Sequence, residues 1–305
     1  MDIGRITAPP DWGWWIVFYF FLGGLAAGSY FMAALIELIG DEQDRELAKV
    51  SYYVAFPLVA ICGVLLILDL GRPERFWHMI VQSETLRPMF KYWSPMSVGS
   101  WAIMLFGGLT FVSFVGVLAE DGRLGPGRFS EQARKLHRRP FGVAFELLAA
   151  GVGFFVASYT GVLLSTSNQP FWSDSYLFGP FFLVSAAATG TAMMLLLRRR
   201  SATPNSLRRL EQANAWALGL ELLLFASLLI SFGGLATQLI ASSVGVMMLL
   251  VSGLLGLVIP LALRIAPQLL GRWSSVAANI LVLIGGFSMR YEVLAAAEHL
   301  DIAGR

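Results

Sequence analysis

WWIVFYFFLGGLAAGSYFMAALIEL, residues 14–38, holds no acid or base until Glu37. A helix needs about 20 apolar residues to cross roughly 30 Å of hydrocarbon, and this stretch is longer than that. Seven more blocks of the same kind follow, at approximately 51–70, 96–118, 142–165, 175–197, 213–233, 243–264 and 275–297. Apolar residues make up 56% of the chain, charged residues 14%, and the mean hydropathy is +0.67. Soluble domains carry about a quarter charged residues. The protein is therefore expected to be all-α: one polytopic integral membrane bundle of about eight spans over residues 1–305. Pro57 and Pro260 lie in or near spans, where membrane helices tolerate them. The first block has no basic n-region and is too long for an h-region, so it is not expected to be a cleaved signal.

Eight spans put both termini on one side, and the bias of Lys and Arg sets which side. The connections after spans one, three, five and seven hold 2, 6, 5 and 2 basic residues, Arg264 at the very end of span seven being counted with the last. The N-terminus, the connections after spans two, four and six, and the C-terminus hold 1, 4, 0, 0 and 1. The loops GRFSEQARKLHRR and RRRSATPNSLRR are thus expected to face the cytoplasm, with periplasmic termini in a bacterial inner (cytoplasmic) membrane. The net charge of +2 reports this topology and gives no nucleic-acid signal.

The residues absent from the sequence narrow its chemistry. The single cysteine, Cys62, sits mid-span and reads as a small buried apolar residue. It cannot build a disulfide within the protein, a thiolate metal site or an iron–sulfur cluster. The three histidines, His78, His137 and His299, all lie outside spans, so a membrane haem held by paired histidines has no place, and no CxxCH is present. No Walker motif appears, and no G-x-G-x-x-G follows a strand. Electron chemistry here would run through an organic carrier, and a quinone is the membrane-soluble one.

Ionisable residues in spans are costly and suggest function. The periplasmic leaflet collects Asp69 at the end of span two and Tyr159, Thr160 and Ser165 late in span four. Arg290, Tyr291 and Glu292 lie at a similar depth in span eight, Trp12, Trp14, Trp15 and Tyr19 in span one, and His78, Tyr92, Trp93 and Ser97 beside span three. Trp12, Trp14, Trp15, Trp93 and Trp172 also fit an interfacial aromatic belt. Arg72 and Arg75 also fit solvated loop charges, and Arg290 with Glu292 a structural pair. Asp69 sits at the negative end of a helix dipole, where an anion is disfavoured, with Arg72 three residues on to compensate. Such an acid suits proton exchange, which a quinol needs when it gives up two electrons. Toward the cytoplasm, Glu37 closes span one, Glu146 lies one turn into span four and Glu221 two turns into span six. These are proton-path candidates or helix-end charges. Spans four and six share a Glu-Leu-Leu start and small residues beyond it, a hint of duplication. Gly24 to Gly28 forms a small-x-x-x-small face that reads as packing.

Six stretches in order, WGWWIVFYFFLGGLAAGSYF, LLILDLGRPERFWHM, SPMSVGSW, SYTGVLLSTSNQPFW, LFGPFFLVSAAATGTAM and GGFSMRY, resemble the NrfD-like family of membrane subunits typified by polysulfide reductase. The resemblance covers the first six spans well and the last two more loosely. It implies an eight-helix core that binds menaquinone or ubiquinone, as the quinol, near the periplasmic face, without haem or metal. It also implies a ferredoxin-like iron–sulfur partner docked there, passing electrons to or from a catalytic subunit, often a molybdopterin enzyme. Tyr159 matches a tyrosine at the quinone, and Asp69 and Arg72 match the DLGRP element near it. Some relatives place a histidine near the start of span one, where this sequence has tryptophans, Tyr19 and Asp11, with Trp15 and Tyr19 as candidate contacts and His78 a possible substitute. Two other readings compete. A small-solute transporter would gather polar groups at the midplane. An inert anchor would tolerate replacement of Asp69 and Tyr159.

Overall fold

A computed structural model describes residues 12–125, 127, 131, 141–167, 169, 171–198 and 203–299. His137, Asp11 and most of the two basic loops lie outside the described residues. Nine helices appear among them: α1 Trp14–Ile39, α2 Arg45–Leu68, α3 Pro95–Glu120, α4 Phe141–Ser165, α5 Phe178–Arg198, α6 Pro204–Ser231, α7 Gly234–Ala241, α8 Ser243–Ile265 and α9 Ser274–His299. All but the short α7 are long and apolar enough to cross a membrane. There is no strand among the described residues. The protein is a multi-pass, all-helical membrane protein.

The spans start where capping chemistry places them. α6 begins at Pro204, nine residues ahead of the apolar block. Thr203 caps it by accepting from the Ser206 backbone N–H at 3.2 Å, and Pro204 at the first helical position loses no hydrogen bond. Hydropathy located only the part of this helix that lipid surrounds. In α8 the hydrogen-bond register widens to a π-helix over Met248–Val258. Such stretches are rare and frequently mark functional sites.

α1 stands at the centre, packed against α2, α4, α5 and α9. With α2, α3 and α4 it forms one four-helix group, while α5, α6, α8 and α9 form a second beside it. The groups meet where α1 crosses α5. A Cβ on Gly28 would run into the Ala186 carbonyl, and one on Gly190 into the Ser29 backbone nitrogen. Close approach of this kind is how helices gain contact in a medium as apolar as they are. Gly256 and Gly285 make the matching approach between α8 and α9. α4 and α6, which share the Glu-Leu-Leu pattern, occupy different positions in the two groups.

The start of α1 and the end of α9 lie at the same end of the bundle, where Trp14 stacks on Tyr291 at 4.9 Å. At the opposite end, charges tie the helices together. Arg45 reaches Glu120 at 2.6 Å and Glu37 at 3.6 Å, and Arg209 of α6 reaches Asp44 at 3.1 Å. Asp121, just past α3, accepts from the Tyr53 hydroxyl and pairs with Lys49 at 3.1 Å. The Tyr53 hydrogen bond, ahead of burial that opposes it and Lys49 and Arg123 that assist, holds this carboxyl below its usual range. A depressed carboxylate stabilises the fold fully above its unfolded value, about pH 4, and that stability is lost as pH falls through the folded value. The unfolding midpoint of the protein in detergent should therefore fall as pH drops below about 4. The Asp121→Asn variant should lose on the order of 2 °C at neutral pH and show a flatter acid limb, measured by thermal scans across pH.

Candidate functional site

α2 ends at Leu68, with Asp69 as its C-cap donating its N–H to Leu65 at 3.0 Å. Gly71 then breaks the helix and Pro73 starts a short 3₁₀ helix, Pro73–Met79. Its apolar residues Phe76 and Met79, with Ile80, fold back over the mouth between α2 and α3. The segment is held there by backbone bonds from Met89 to Ile80 at 2.7 Å and from Gln82 to Arg87 at 2.9 Å. The Trp101 indole of α3 donates to the Met89 carbonyl at 3.0 Å.

Beneath this cover lies an apolar cavity of about 370 Å³ in the first helix group. Asp69, Tyr159 and Tyr19, which arrive from α2, α4 and α1, all line it. Tyr159 is buried, and its hydroxyl donates to the Pro95 carbonyl at 2.6 Å. Its phenol occupies the space a side chain at position 99 would take, since a Cβ on Gly99 would collide with it. SPMSVGSW and SYTGVLL thus encode one contact: a glycine in α3 makes room for a tyrosine in α4. Tyr19 lies beside Tyr159 and Cys62, and the buried Cys62 thiol donates to the Tyr19 carbonyl at 3.8 Å.

The other residues expected at the site sit elsewhere. Arg72 is exposed beyond the end of α2 and does not line the cavity. His78 is half-buried, edge-on to Trp77 at 3.9 Å, on the side of the short helix away from the cavity lining. Trp15 is exposed, because its neighbour Ile16 takes the cavity-facing position and successive helical residues point about 100° apart. Of the expected belt, Trp14, Trp15 and Trp93 are exposed. Trp172 is not a belt residue: it is fully buried, because the α4–α5 connection turns inward through Phe171 at φ 74°, and its indole donates to Val293 at 2.8 Å. Trp12 stacks on it at 5.1 Å and lines the cavity. Trp12 was read from the sequence only as part of the aromatic cluster, and Gly99 is a lining residue that sequence reading did not single out, although an in-span glycine with no obvious partner was a usable signal.

A second polar group lies in the terminal half of the other four helices. Arg290 is fully buried. It donates to the Phe20 carbonyl at 3.0 Å, the Ser185 hydroxyl at 3.2 Å and the Gly286 carbonyl at 2.6 Å, and lies over the Phe21 and Phe182 rings. Glu221 is its neighbour. The expectation that Glu221 sits near the opposite end is corrected: α6 starts at Pro204, so Glu221 lies 17 residues, about 25 Å, along it. Arg290 and Glu292 are not a pair. They point to different faces of α9, and Glu292 bonds Ser288 at 2.7 Å and Ser252 in the π stretch of α8.

Toward the opposite end, Arg264 bonds Asn214 at 3.0 Å and also Asn279, and pairs with Glu211 at 3.2 Å. Sequence reading passed over these in-span amides. In the first group, Glu146 and Glu37 lie near Tyr30 and Tyr52, and Tyr30 bonds Ser113 at 2.6 Å. Among the described residues, no cluster of three His, Cys, Asp or Glu side chains is placed to hold a metal ion.

An eight-span bundle with an apolar cavity that gathers a carboxylate and two tyrosines at one end has the build of a membrane subunit with room for one ring-sized apolar molecule. The protein belongs to the family described as polysulphide reductase, NrfD, whose model matches residues 7–300. It is 28% identical to a subunit of the selenate reductase of Mesobacillus selenatarsenatis, over 65% of this protein and 50% of that one. It is 27% identical to a component of the polysulfide reductase of Wolinella succinogenes, over 61% of this protein and 57% of that one. These matches span about half the length of each relative. Protein NrfD of Escherichia coli is 28% identical over 94% of this protein and 95% of its own length.

Gly24 is explained by the geometry of the second polar group: a Cβ there would lie 2.7 Å from the Arg290 guanidinium. Arg290→Met should therefore destabilise the fold by about 3–5 kcal/mol, because it leaves Glu221 buried without its cation. Gly24→Val should act in the same direction, and Arg290→Lys should fail to restore stability, since an ammonium lacks the planar fork. Unfolding of the three variants in detergent checks this.

Proposed function

We propose that this subunit exchanges electrons between the membrane quinone pool, menaquinone or ubiquinone, and an iron–sulfur subunit docked at its terminal end, on the periplasmic side of a bacterial inner membrane. The observation that carries the reading is the convergence of Asp69, Tyr159 and Tyr19 on one apolar cavity. The subunit is the quinone-reactive part of a membrane oxidoreductase and leaves the terminal substrate to a catalytic partner of the molybdopterin kind.

The residues suit a quinol ring. Apolar walls from α1, α2 and α3 hold the ring and exclude water. The Tyr159 hydroxyl spends its own proton on Pro95, so its oxygen accepts from a quinol hydroxyl. Asp69, half-buried at the water-facing edge, takes the quinol's two protons in turn and hands each to bulk water, as the two electrons pass to the iron–sulfur partner. Tyr19 closes the wall opposite α3 and lies within reach of the same ring. The exposed aromatics of the α2–α3 connection, Phe90, Tyr92 and Trp93, form a platform beside the cavity cover on which a ferredoxin-like partner would sit. Glu37 and Glu146 in the first group, and Glu221, Arg290 and Glu292 in the second, are the candidates for a proton path across the bundle.

Quinol-dependent electron transfer in membranes containing the complex tests this. Asp69→Asn should slow transfer about a hundredfold, the scale of a lost general base. Tyr159→Phe should slow it about tenfold, the scale of one hydrogen bond to the reacting group. In both, the partner subunits should stay bound, and normal transfer in both would sink the assignment. Glu146→Gln and Glu221→Gln should lower the number of protons moved per electron, read from pH changes in vesicles; an unchanged ratio removes these acids from the path.

A further inference from the structure

The cavity is a slot, not a sphere. Its α2 wall is formed by Phe56, Val59, Ala60, Gly63, Leu66 and Ile67, spaced about one helical turn apart along one face. From Phe56 to the C-cap Asp69 that wall runs roughly 20 Å. The polar side chains of the lining, Trp12, Tyr19, Asp69, Ser100 and Tyr159, all come from the end of the bundle where α1 and α3 start and α2 and α4 end. Below them, Ile103, Met104 and Gly107 continue the α3 wall without a hydrogen-bonding side chain.

The slot has a floor and an open side. Val59 approaches the Cβ position of Gly107 at 3.4 Å, and Phe56 packs on Phe111 at 5.0 Å and Phe114 at 5.6 Å. These contacts close the far end. Between them and the head region the wall is thin. Ala60 is exposed, Met104 is 46% exposed, and nothing lies within 4 Å of a Cβ on Gly63. This gap between α2 and α3 lies within both spans, so it faces lipid and not water.

On the reading proposed above, we infer that the lower slot and the α2–α3 gap hold the isoprenoid tail of the quinol and are its route in from the bilayer. Ala60, Gly63 and Gly107 are then specificity-determining residues, kept small so that a branched tail can lie beside them. About 370 Å³ is near the lower limit of ligand pockets and holds a ring with the first part of a tail. A polyprenyl tail must leave the cavity, and the gap is continuous with the ring's end of the slot. A phospholipid acyl group is the competing occupant. It has no use for a carboxylate and a tyrosine at the head of the slot.

The test is Gly63→Leu in the intact complex in liposomes. Steady-state oxidation is measured with a long-tailed quinol and with a water-soluble, tail-less quinol of the same ring. Leucine at position 63 meets no protein atom at its Cβ and is a better helix former than glycine, so it fills the gap without opposing the fold. KM for the long-tailed quinol should rise about tenfold while that for the tail-less quinol stays within about twofold. Gly108→Leu is the control: its position on α3 is equally open but outside the slot lining, and both KM values should hold. Unchanged kinetics in Gly63→Leu overturn the inference and leave the gap to lipid. An equal rise for both quinols also overturns it, because head and tail would then not be separate along the slot. Failure of the wild-type complex to oxidise either quinol would instead sink the quinone reading, and the tail slot with it.

Discussion

α1 can stand at the centre of this bundle only because one side of it, from Gly24 to Gly28, carries almost no side chain. Gly28 lets the α5 backbone touch α1, and Gly24 leaves room for the Arg290 guanidinium. In lipid, helices gain little by hiding apolar surface from each other, so close packing and buried hydrogen bonds must hold them together. Both are concentrated on this face. The guanidinium ties α9 to the Phe20 carbonyl of α1 and to Ser185 of α5. The two four-helix groups are therefore fixed to each other next to the cavity, since Phe20 also contributes to its wall.

The cavity follows from a second economy of side chains. Tyr159 is held by Pro95 at the start of α3 and occupies the space left by Gly99. The bond fixes the direction of its proton. The cover is made by the same Gly-Arg-Pro break that ends α2, which turns Phe76 and Met79 inward and leaves Arg72 outside. A cavity polar at one end and partly covered there is thus a consequence of a few helix ends and glycines.

The second helix group places its charges differently. Arg264, Glu211, Asn214 and Asn279 gather toward one end and Glu221 with Arg290 toward the other, with Thr191 bonded to Asn214 between them. Each of these buried charges has a partner, as the cost of an isolated ion in a low-dielectric interior requires. Pairing of this kind can serve structure alone or structure and proton movement together, and the stoichiometry of the glutamate variants separates the two.

The amino-acid sequence by itself determined the membrane fold. Length and hydropathy of a span are local properties, because each transmembrane helix satisfies its own backbone hydrogen bonds, so the eight blocks were legible without knowing their neighbours. Asp69, Tyr159 and Tyr19 were legible as candidates for a related reason: polar groups near the end of an apolar span are costly wherever they sit. What only the tertiary structure decided was which of the candidates meet. Tyr19 and Trp15 are four residues apart, yet one lines the cavity and the other is exposed on the outside of the bundle. Arg290 and Glu292 are two apart, yet they serve different networks. Glu221 moved to Arg290's side because a proline and a threonine cap, not hydropathy, set where α6 begins. Helix rotation and helix start are fixed by contacts between spans, and hydropathy within one span does not encode them.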